Sequence, residues 1–355
     1  MLLTLCSVFP DAPIYTLFYD KNATGGVFEG KDIRTSFLQK IPFVKKHHRG
    51  FPLLMPFAIE QFDFSPPDGG FDIVISISAS FAKGIITKPH TKHICLCLTP
   101  PRFLWDDSHR FVEEFGYPRA VRSILPPFIS YLRIWDKEAS YRVDEFWAIS
   151  GFVKDRVKKY YSRNSEIIYP PVDTKKFKVE SLKFKASNHN LETSNYFLMV
   201  GRLVAYKRFD LGVKAFNKLG FPLKIVGTGP ELKKLKRTAG DNIQFLGSVS
   251  DSQLAGLYSK TQALIFPQEE DFGIVPLEAM ASGRPVIAFR SGGATETIEE
   301  GKTGLFFDEQ TVDSLAYAVK SFDPNKFDPD DCRKQAEKFD VSVFKNKILE
   351  KLTQL

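Results

Sequence analysis

The chain has 355 residues, of which 43% are hydrophobic and 26% are charged, and its formal net charge is +7. This length and balance predict a soluble globular protein with room for two hydrophobic cores. No apolar run reaches the roughly eighteen residues of a membrane span, and the start of the chain lacks the charged and apolar segments of a secretory signal.

The excess of positive charge favours polyanionic ligands, such as a nucleoside diphosphate or an anionic membrane surface. Charge alone leaves nucleic acid open, but no nucleic-acid motif is present, so we expect no such partner. Four cysteines lack the spacing of a metal site, and Cys95 and Cys97 point to the same face of a predicted strand, where they cannot easily bridge. The sequence therefore predicts a reducing, cytoplasmic compartment.

The N-terminal half begins with the predicted end of an amphipathic helix at residues 1–9 and a strand at 12–19. A basic stretch from Lys40 to Phe57, KIPFVKKHHRGFPLLMPF, interleaves cationic and apolar side chains. It either lies on an anionic membrane and meets a lipid-linked acceptor, or is a solvated loop followed by a core-packing helix. The elements that follow are predicted as strands at 71–77, 93–98 and 145–150, and as helices at 128–141 and 153–161.

A proline-rich loop, TPPRFLWD, runs from Thr99 to Asp106 after the second of these strands. Because Pro100 and Pro101 fix the backbone, the loop is predicted to be rigid. The polar stretch at 181–194 has no hydrophobic period and is predicted as a linker. The resulting domains are 1–180 and 195–330, with terminal helices at 331–355.

In the C-terminal half, strands are predicted at 196–200, 223–226 and 242–247, and helices at 209–219 and 341–352. Residues 227–229 (GTG) lack the third glycine of a dinucleotide fingerprint, so NAD binding is not expected. The one D-x-D sequence, at 328–330, encloses a proline before a predicted helix. It is therefore predicted to cap that helix and not to bind a metal.

Arg202 and Lys207 leave the carboxyl end of the strand at 196–200, just ahead of a helix. An arginine and a lysine at this position can clamp a diphosphate, the arginine through a planar fork and the lysine as a point charge. The neighbouring Arg208 is expected to face solvent.

The most informative stretch is ALIFPQEEDFGIVPLEAMASGRPVIA at 263–288, which predicts a strand, an acidic loop, a helix and another strand. In parallel α/β sheets, ligands bind at the carboxyl ends of strands, so the acidic loop should face a ligand site. Glu270 and Glu278 are spaced so that both can address one ligand. Alternatively, they are ordinary acids favoured by the helix dipole. The backbone N–H groups at the helix start offer a seat for a phosphate or sugar oxygen; they belong to Phe272, Gly273 and Ile274.

This stretch resembles the E-x7-E signature of the retaining nucleotide-sugar glycosyltransferases of family 4. The upstream blocks FLMVGRLVAYKRFDLGVKAF, LKIVGTGPEL and NIQFLGSVSDSQL support the resemblance in the family's order. It implies an α/β fold of GT-B architecture, with two facing Rossmann-like domains and a cleft between them. Within the family the chain is most similar to mannosyltransferase-like members of bacterial polysaccharide biosynthesis.

The resemblance also implies roles for the site residues. Arg202 and Lys207 would hold the donor diphosphate and Glu270 would orient the sugar, and these three would be the catalytic residues. Glu278 would accept hydrogen bonds from the ribose hydroxyls, while Ser248 and Val249 would receive the base through their backbone. The remaining donor-binding positions are Gly201, Asp271, Phe272, Gly273 and Ile274. Neither a metal nor a cofactor is implied.

The chain departs from the family's pattern at two places. The first strand and glycine-rich loop of the N-terminal domain precede the predicted helix at 1–9 in family members and are absent here. In addition, Leu98 stands where the family has a histidine near the donor sugar. His93 is expected to be a surface residue and not a substitute. Three polar residues remain as candidates on the acceptor side, Thr99, Arg102 and Asp106.

The expected function is transfer of a hexose from GDP-mannose or UDP-glucose to a saccharide or lipid-linked acceptor, with retention of configuration. Such a reaction would serve cell-surface polysaccharide or glycolipid synthesis at the inner face of a membrane. The two departures support an alternative, a truncated and inactive homologue that binds nucleotide and acts as a partner or regulatory protein.

Overall fold

The computed structural model describes residues 1–42, 44, 50–64, 70–106, 108, 119–177 and 195–354, with the backbone alone at 119–124. The basic residues 45–49 and the whole of the predicted linker lie outside the described residues. The chain forms two compact units, Met1–Tyr169 and Pro170–Leu355. Each unit is built on parallel strands, so the predicted α/β class is confirmed.

The first unit contains two parallel sheets. A small one pairs β1 with β2, and a four-stranded one has the order β3-β4-β5-β6. The pattern HICLCL forms β4, which lies between β3 and β5 and is buried along most of its length, as a near-continuous apolar run predicts. The strands are β1 (Ile14–Thr16), β2 (Ile33–Thr35), β3 (Ile73–Ser78), β4 (Lys92–Cys97), β5 (Glu145–Ala148) and β6 (Glu166–Ile167).

The helices of the first unit follow the predicted positions, with one extension. The helix predicted to begin at 128 begins at Arg119 and continues through Pro126 and Pro127. Ser150 caps the next helix by accepting a hydrogen bond from the N–H of Val153. These helices are α1 (Leu2–Val8), α2 (Leu54–Glu60), α3 (Arg119–Ser140) and α4 (Gly151–Tyr161).

The second unit has one six-stranded parallel sheet with the order β12-β11-β10-β7-β8-β9. After β7 the chain builds one side of the sheet, and after β10 it builds the other. The carboxyl ends of β7 and β10 therefore lie side by side at the point where the strand order reverses, which is where such sheets bind ligands. The strands are β7 (Phe197–Val200), β8 (Leu223–Val226), β9 (Ile243–Gly247), β10 (Leu264–Phe266), β11 (Val286–Phe289) and β12 (Gly304–Phe307).

Helices cover the sheet of the second unit, and their apolar faces form its main hydrophobic core. As predicted, Asp328 caps a helix by accepting from the N–H of Asp330, with Pro329 in the first turn. The helices are α5 (Phe209–Leu219), α6 (Leu232–Thr238), α7 (Asp251–Lys260), α8 (Ile274–Ala281), α9 (Ala294–Thr297), α10 (Val312–Ser321), α11 (Pro329–Glu337) and α12 (Val341–Thr353). Among the described residues, no helix is both long and apolar enough to cross a membrane.

Candidate functional site

The loops that follow β7 and β10 meet through an ion pair. The Nζ of Lys207 lies 2.7 Å from the Oε1 of Glu270, and the side chains are only 14% and 18% exposed. The amide of Gln268 donates to the same carboxylate oxygen at 3.3 Å. The structure therefore brings together two of the three residues predicted to be catalytic, and it fixes the orientation of the Glu270 carboxylate.

Close packing of glycines shapes the loop after β7. Gly201 and Gly227 have positive φ angles of +151° and +134°, and a Cβ on Gly227 would lie 1.9 Å from the carbonyl oxygen of Gly201. A Cβ on Gly201 would lie 3.4 Å from the Nζ of Lys207. Glycine is needed here because two backbones touch. This explains the G-T-G sequence without a dinucleotide.

Arg202 supplies positive charge at the same strand end. Its side chain is exposed and makes no hydrogen bond or ion pair within the described part of the chain. Lys207, in contrast, is already neutralised by Glu270. Arg202 is thus ready to meet an anion, whereas Lys207 can do so only by sharing or exchanging its carboxylate partner.

The acidic loop after β10 rests on the backbone of two glycines. The N–H of Gly293 donates to the carbonyl of Glu270 at 2.9 Å. A Cβ on Gly292 would lie 2.3 Å from that carbonyl oxygen, and one on Gly293 would lie 2.4 Å from the Cα of Phe272. Their role as the support of the acidic loop becomes evident only in the structure.

Helix α8 begins without a side-chain cap. Gly273 takes the cap position with φ +91°, and no side chain accepts from the first-turn N–H groups. Ile274 is exposed, whereas the Phe272 ring is buried and lies 5.7 Å from that of Phe339. The uncapped N–H groups can donate hydrogen bonds to an anion. Phe272 can contribute only its backbone, and Asp271 is half-buried beside it.

Glu278 lies one turn inside α8 and is half-buried. Its Oε2 accepts a hydrogen bond from the Tyr258 hydroxyl at 3.0 Å. Burial raises the pKa of Glu278 to about 7, with a further upward contribution from Asp251, while the Tyr258 hydrogen bond and Lys176 act in the opposite direction. The carboxyl group is therefore poised between its neutral and charged forms near neutral pH.

Tyr258 is a site residue that the sequence interpretation missed. It lies on α7, is fully buried and packs edge-on against Phe177, with 5.8 Å between ring centroids. Burial and Glu278 keep its pKa well above the ordinary value. Its hydroxyl is thus a permanent donor to Glu278. No local pattern marks it, because α7 and α8 meet only in three dimensions.

The predicted base-binding residues follow β9 at the edge of the sheet. Ser248 is exposed and Val249 half-buried. Their role in receiving a base through the backbone stays a prediction.

The acceptor-side candidates lie in the first unit, and two of them contact side chains of α4. Asp106 forms an ion pair with Arg156 at 2.5 Å and accepts from the hydroxyl of Tyr160. The Arg102 guanidinium lies 6.0 Å from the Phe152 ring centroid, and the Thr99 hydroxyl donates to the Pro100 carbonyl at 3.1 Å. These contacts favour a role in fixing the proline-rich loop.

The sequence expectations for two other residues are wrong. His93 is fully buried because β4 has a neighbour on each side; it lies 2.9 Å from the Ser76 hydroxyl, and burial lowers its pKa to about 4. Arg208 does not simply face solvent, because its side chain is half-buried and bonds to Gln310. All four cysteines are free.

Comparison with known sequences identifies the part of the chain that carries these loops. Residues 181–339 match the sequence model of the family described as glycosyl transferases group 1. This part of the chain is a group 1 glycosyltransferase domain. The domain contains both the Lys207–Glu270 ion pair and the Glu278 carboxyl with its hydrogen-bond donor Tyr258.

Curated relatives of this chain include mannosyltransferases. The GDP-mannose-dependent alpha-(1-6)-phosphatidylinositol monomannoside mannosyltransferase of Mycobacterium tuberculosis is 32% identical over 63% of this chain and 63% of its own length. The alpha-1,3/1,6-mannosyltransferase of Saccharomyces cerevisiae is 30% identical over 44% of this chain and 40% of its own length. The chain thus covers less than two thirds of the relatives it matches.

Solved structures extend the similarity to the whole fold. Sucrose-phosphate synthase from Thermosynechococcus elongatus has a TM-score of 0.68 at 18% identity, covering 91% of this chain and 82% of its own. Anabaena HepE, solved with UDP and glucose, has a TM-score of 0.67 at 16% identity, covering 100% and 95%. Both are GT-B glycosyltransferases, so the predicted fold class is confirmed. The group 1 domain contributes the second unit of that fold.

Proposed function

We propose that the protein is a retaining, metal-independent glycosyltransferase that moves a hexose from a nucleotide sugar to a saccharide or lipid-linked acceptor. The observation that carries this proposal is the Lys207–Glu270 pair at the meeting ends of β7 and β10. Beside it, the same unit offers the exposed side chain of Arg202 and the uncapped start of α8. GDP-mannose is the favoured donor because one of the named relatives depends on it, and UDP-glucose is the second choice.

The reaction breaks a bond from the sugar to the diphosphate, on which negative charge grows as it leaves. In our proposal Arg202 and the N–H groups of α8 meet this charge first. Lys207 then turns from Glu270 to a phosphate oxygen, and the freed Glu270 carboxylate accepts hydrogen bonds from the sugar hydroxyls. Each charge-assisted bond contributes about 1.5 to 3 kcal/mol. These cations replace the charge that a metal would supply.

Retention of configuration is proposed to follow from attack on the same face as the departing diphosphate, with a donor phosphate oxygen taking the acceptor proton. Glu270 is then not a nucleophile. Glu278 is proposed to bind the ribose hydroxyls, and the backbone at Ser248 and Val249 the base.

The acceptor is proposed to approach along the first unit, near Thr99, Arg102 and Asp106. An exposed apolar group accompanies the basic stretch of that unit. The Phe37 and Phe57 rings lie 5.5 Å apart and are exposed, as are Leu53 and Leu54. Together with the basic residues at 45–49, this group suits the surface of an anionic membrane on the cytoplasmic side, where a lipid-linked acceptor would be found.

The test is turnover of GDP-mannose and UDP-glucose by the full chain, with the anomeric configuration of the released sugar followed by NMR. We expect turnover of one donor with retained configuration, and its loss in Glu270→Gln. Nucleotide binding without turnover of any donor would instead favour the inactive, nucleotide-binding homologue. An inverted product would contradict the retaining assignment.

A further inference from the structure

The loops after β7 and β10 are joined a second time, by a residue that touches neither Lys207 nor Glu270. Gln310 lies between β12 and α10. Its Oε1 accepts from the Nη1 of Arg208 at 2.8 Å, and its Nε2 donates to the carbonyl of Pro267 at 2.9 Å. Both bonds are half-buried. One amide therefore ties the end of the first loop to the beginning of the second.

We propose that Gln310, acting with Arg208, is a positioning residue for the donor diphosphate site. It holds the two loops at the separation at which Lys207 can pass between Glu270 and a phosphate oxygen. The proposal rests on the proposed function for its nucleotide readout. Its structural readout, the order of the loop after β10, does not.

The backbone on the Arg208 side needs such support. Arg208 has φ +52°, one of two positive φ values among the described non-glycine residues. This left-handed conformation is unfavourable for a residue with a side chain. Arg208 stands between the turn Ala205–Lys207 and α5, at a helix start that has no side-chain cap. Its bond to Gln310 and its 3.3 Å contact with Asp210 hold the strained turn that presents Lys207.

The other hydrogen bond of Gln310 is to Pro267, where the acidic loop begins. Pro267 is followed by Gln268, which is 2% exposed and donates to the Glu270 carboxylate. Anchoring the Pro267 carbonyl therefore fixes the residue that orients Glu270. Two connections thus join the loops. In our proposal a ligand breaks the ion pair between Lys207 and Glu270, whereas the hydrogen bonds of Gln310 remain.

The bridge uses both ends of the amide, because the oxygen accepts from Arg208 while the nitrogen donates to Pro267. Glutamate at position 310 could still accept from Arg208, through a stronger charge-assisted bond. It could not donate to Pro267, and its charge would repel that carbonyl. Gln310→Glu therefore breaks one bond and keeps the other, whereas Gln310→Ala breaks both. Glu309 is exposed, so Glu309→Ala is a matched control for a substitution in the same loop.

The first measurement is hydrogen exchange by mass spectrometry on the ligand-free full chain. We expect faster exchange in residues 267–273 for Gln310→Ala and Gln310→Glu, with the strands of the sheet unchanged, and no change for Glu309→Ala. Unchanged exchange in both Gln310 variants would overturn the proposal. Faster exchange throughout the second unit would also overturn it, because that result describes general destabilisation.

The second measurement is GDP affinity by calorimetry. One lost hydrogen bond corresponds to a loss of up to about tenfold, which we expect in both Gln310 variants. In a Lys207→Ala background the same changes should have no further effect, because Gln310 acts through Lys207. A full additional loss there would overturn the positioning role. If the unmodified chain binds no nucleotide, the proposed function fails, and the exchange data alone then decide whether Gln310 orders the loop.

Discussion

The clearest quantitative prediction concerns the charge of Glu278. Burial raises the pKa of this carboxyl from its ordinary 4.5 to about 7. Between these values the folded protein holds a proton that the unfolded chain releases. Stability that is present at low pH is therefore lost as the pH rises from 4.5 through 7.

The magnitude follows from linkage at about 1.4 kcal/mol for each pH unit. Relative to low pH, the raised pKa of Glu278 lowers the free energy of unfolding by about 1 kcal/mol at pH 5 and by about 3 kcal/mol at pH 8. Glutamine has nearly the same shape and no charge. Glu278→Gln should therefore gain about 2 kcal/mol relative to the unmodified protein between pH 5 and pH 8.

Thermal unfolding of the full chain at the two pH values measures this gain. A change of 1 kcal/mol shifts the midpoint by about 2 to 4 °C in a unit of this size, so the variant should gain about 4 to 8 °C at pH 8 relative to pH 5. The exposed Glu309→Gln should show no such dependence. GDP affinity should fall in Glu278→Gln at the same time, because the ribose loses a charged acceptor. A midpoint difference that is the same at both pH values would refute the reasoning.

Three further substitutions test the surroundings of the site and the first unit. Tyr258→Phe removes the hydrogen bond that favours the ionised form of Glu278. In a calorimetric pH series, the pH at which nucleotide affinity rises should therefore move upward. An unchanged profile would mean that the hydroxyl has no influence. Gly293→Ala places a Cβ 2.4 Å from the Cα of Phe272, so the acidic loop must move, and GDP binding should be lost while circular dichroism stays native; retained binding would contradict this. Asp136→Asn leaves the buried Lys83 ammonium without its carboxylate partner. The free energy of unfolding in urea should fall by about 3 to 5 kcal/mol. A change below about 1 kcal/mol would show that the pair is not buried in solution.

Much of the fold could be predicted because its signals are local. Apolar runs such as HICLCL at 93–98 and the run at 263–266 form strands, because a short continuous apolar run is typical of a strand that is buried on both faces. The spacing of Glu270 and Glu278 placed one carboxylate before α8 and the other inside it. Gly273 marked the helix start because a positive φ there favours glycine.

What the sequence could not give depends on contacts between distant segments. The Lys207–Glu270 pair requires that β7 and β10 be neighbours, a matter of strand order. Tyr258 donates to Glu278 because α7 lies against α8. His93 was misplaced because a histidine at a strand start resembles a surface residue until the strand on each side is known. Gln310 carries no motif at all.

The most direct test of the account is the binding of GDP and UDP to the full chain by calorimetry, comparing Lys207→Ala with Lys214→Ala. Lys214 lies on α5 with 62% of its side chain exposed, so its substitution removes the same charge away from the site. We predict micromolar binding of one nucleotide by the unmodified protein and by Lys214→Ala, and an affinity weaker by about tenfold or more in Lys207→Ala. Equal affinity in the two variants would contradict a nucleotide-sugar site at the ends of β7 and β10.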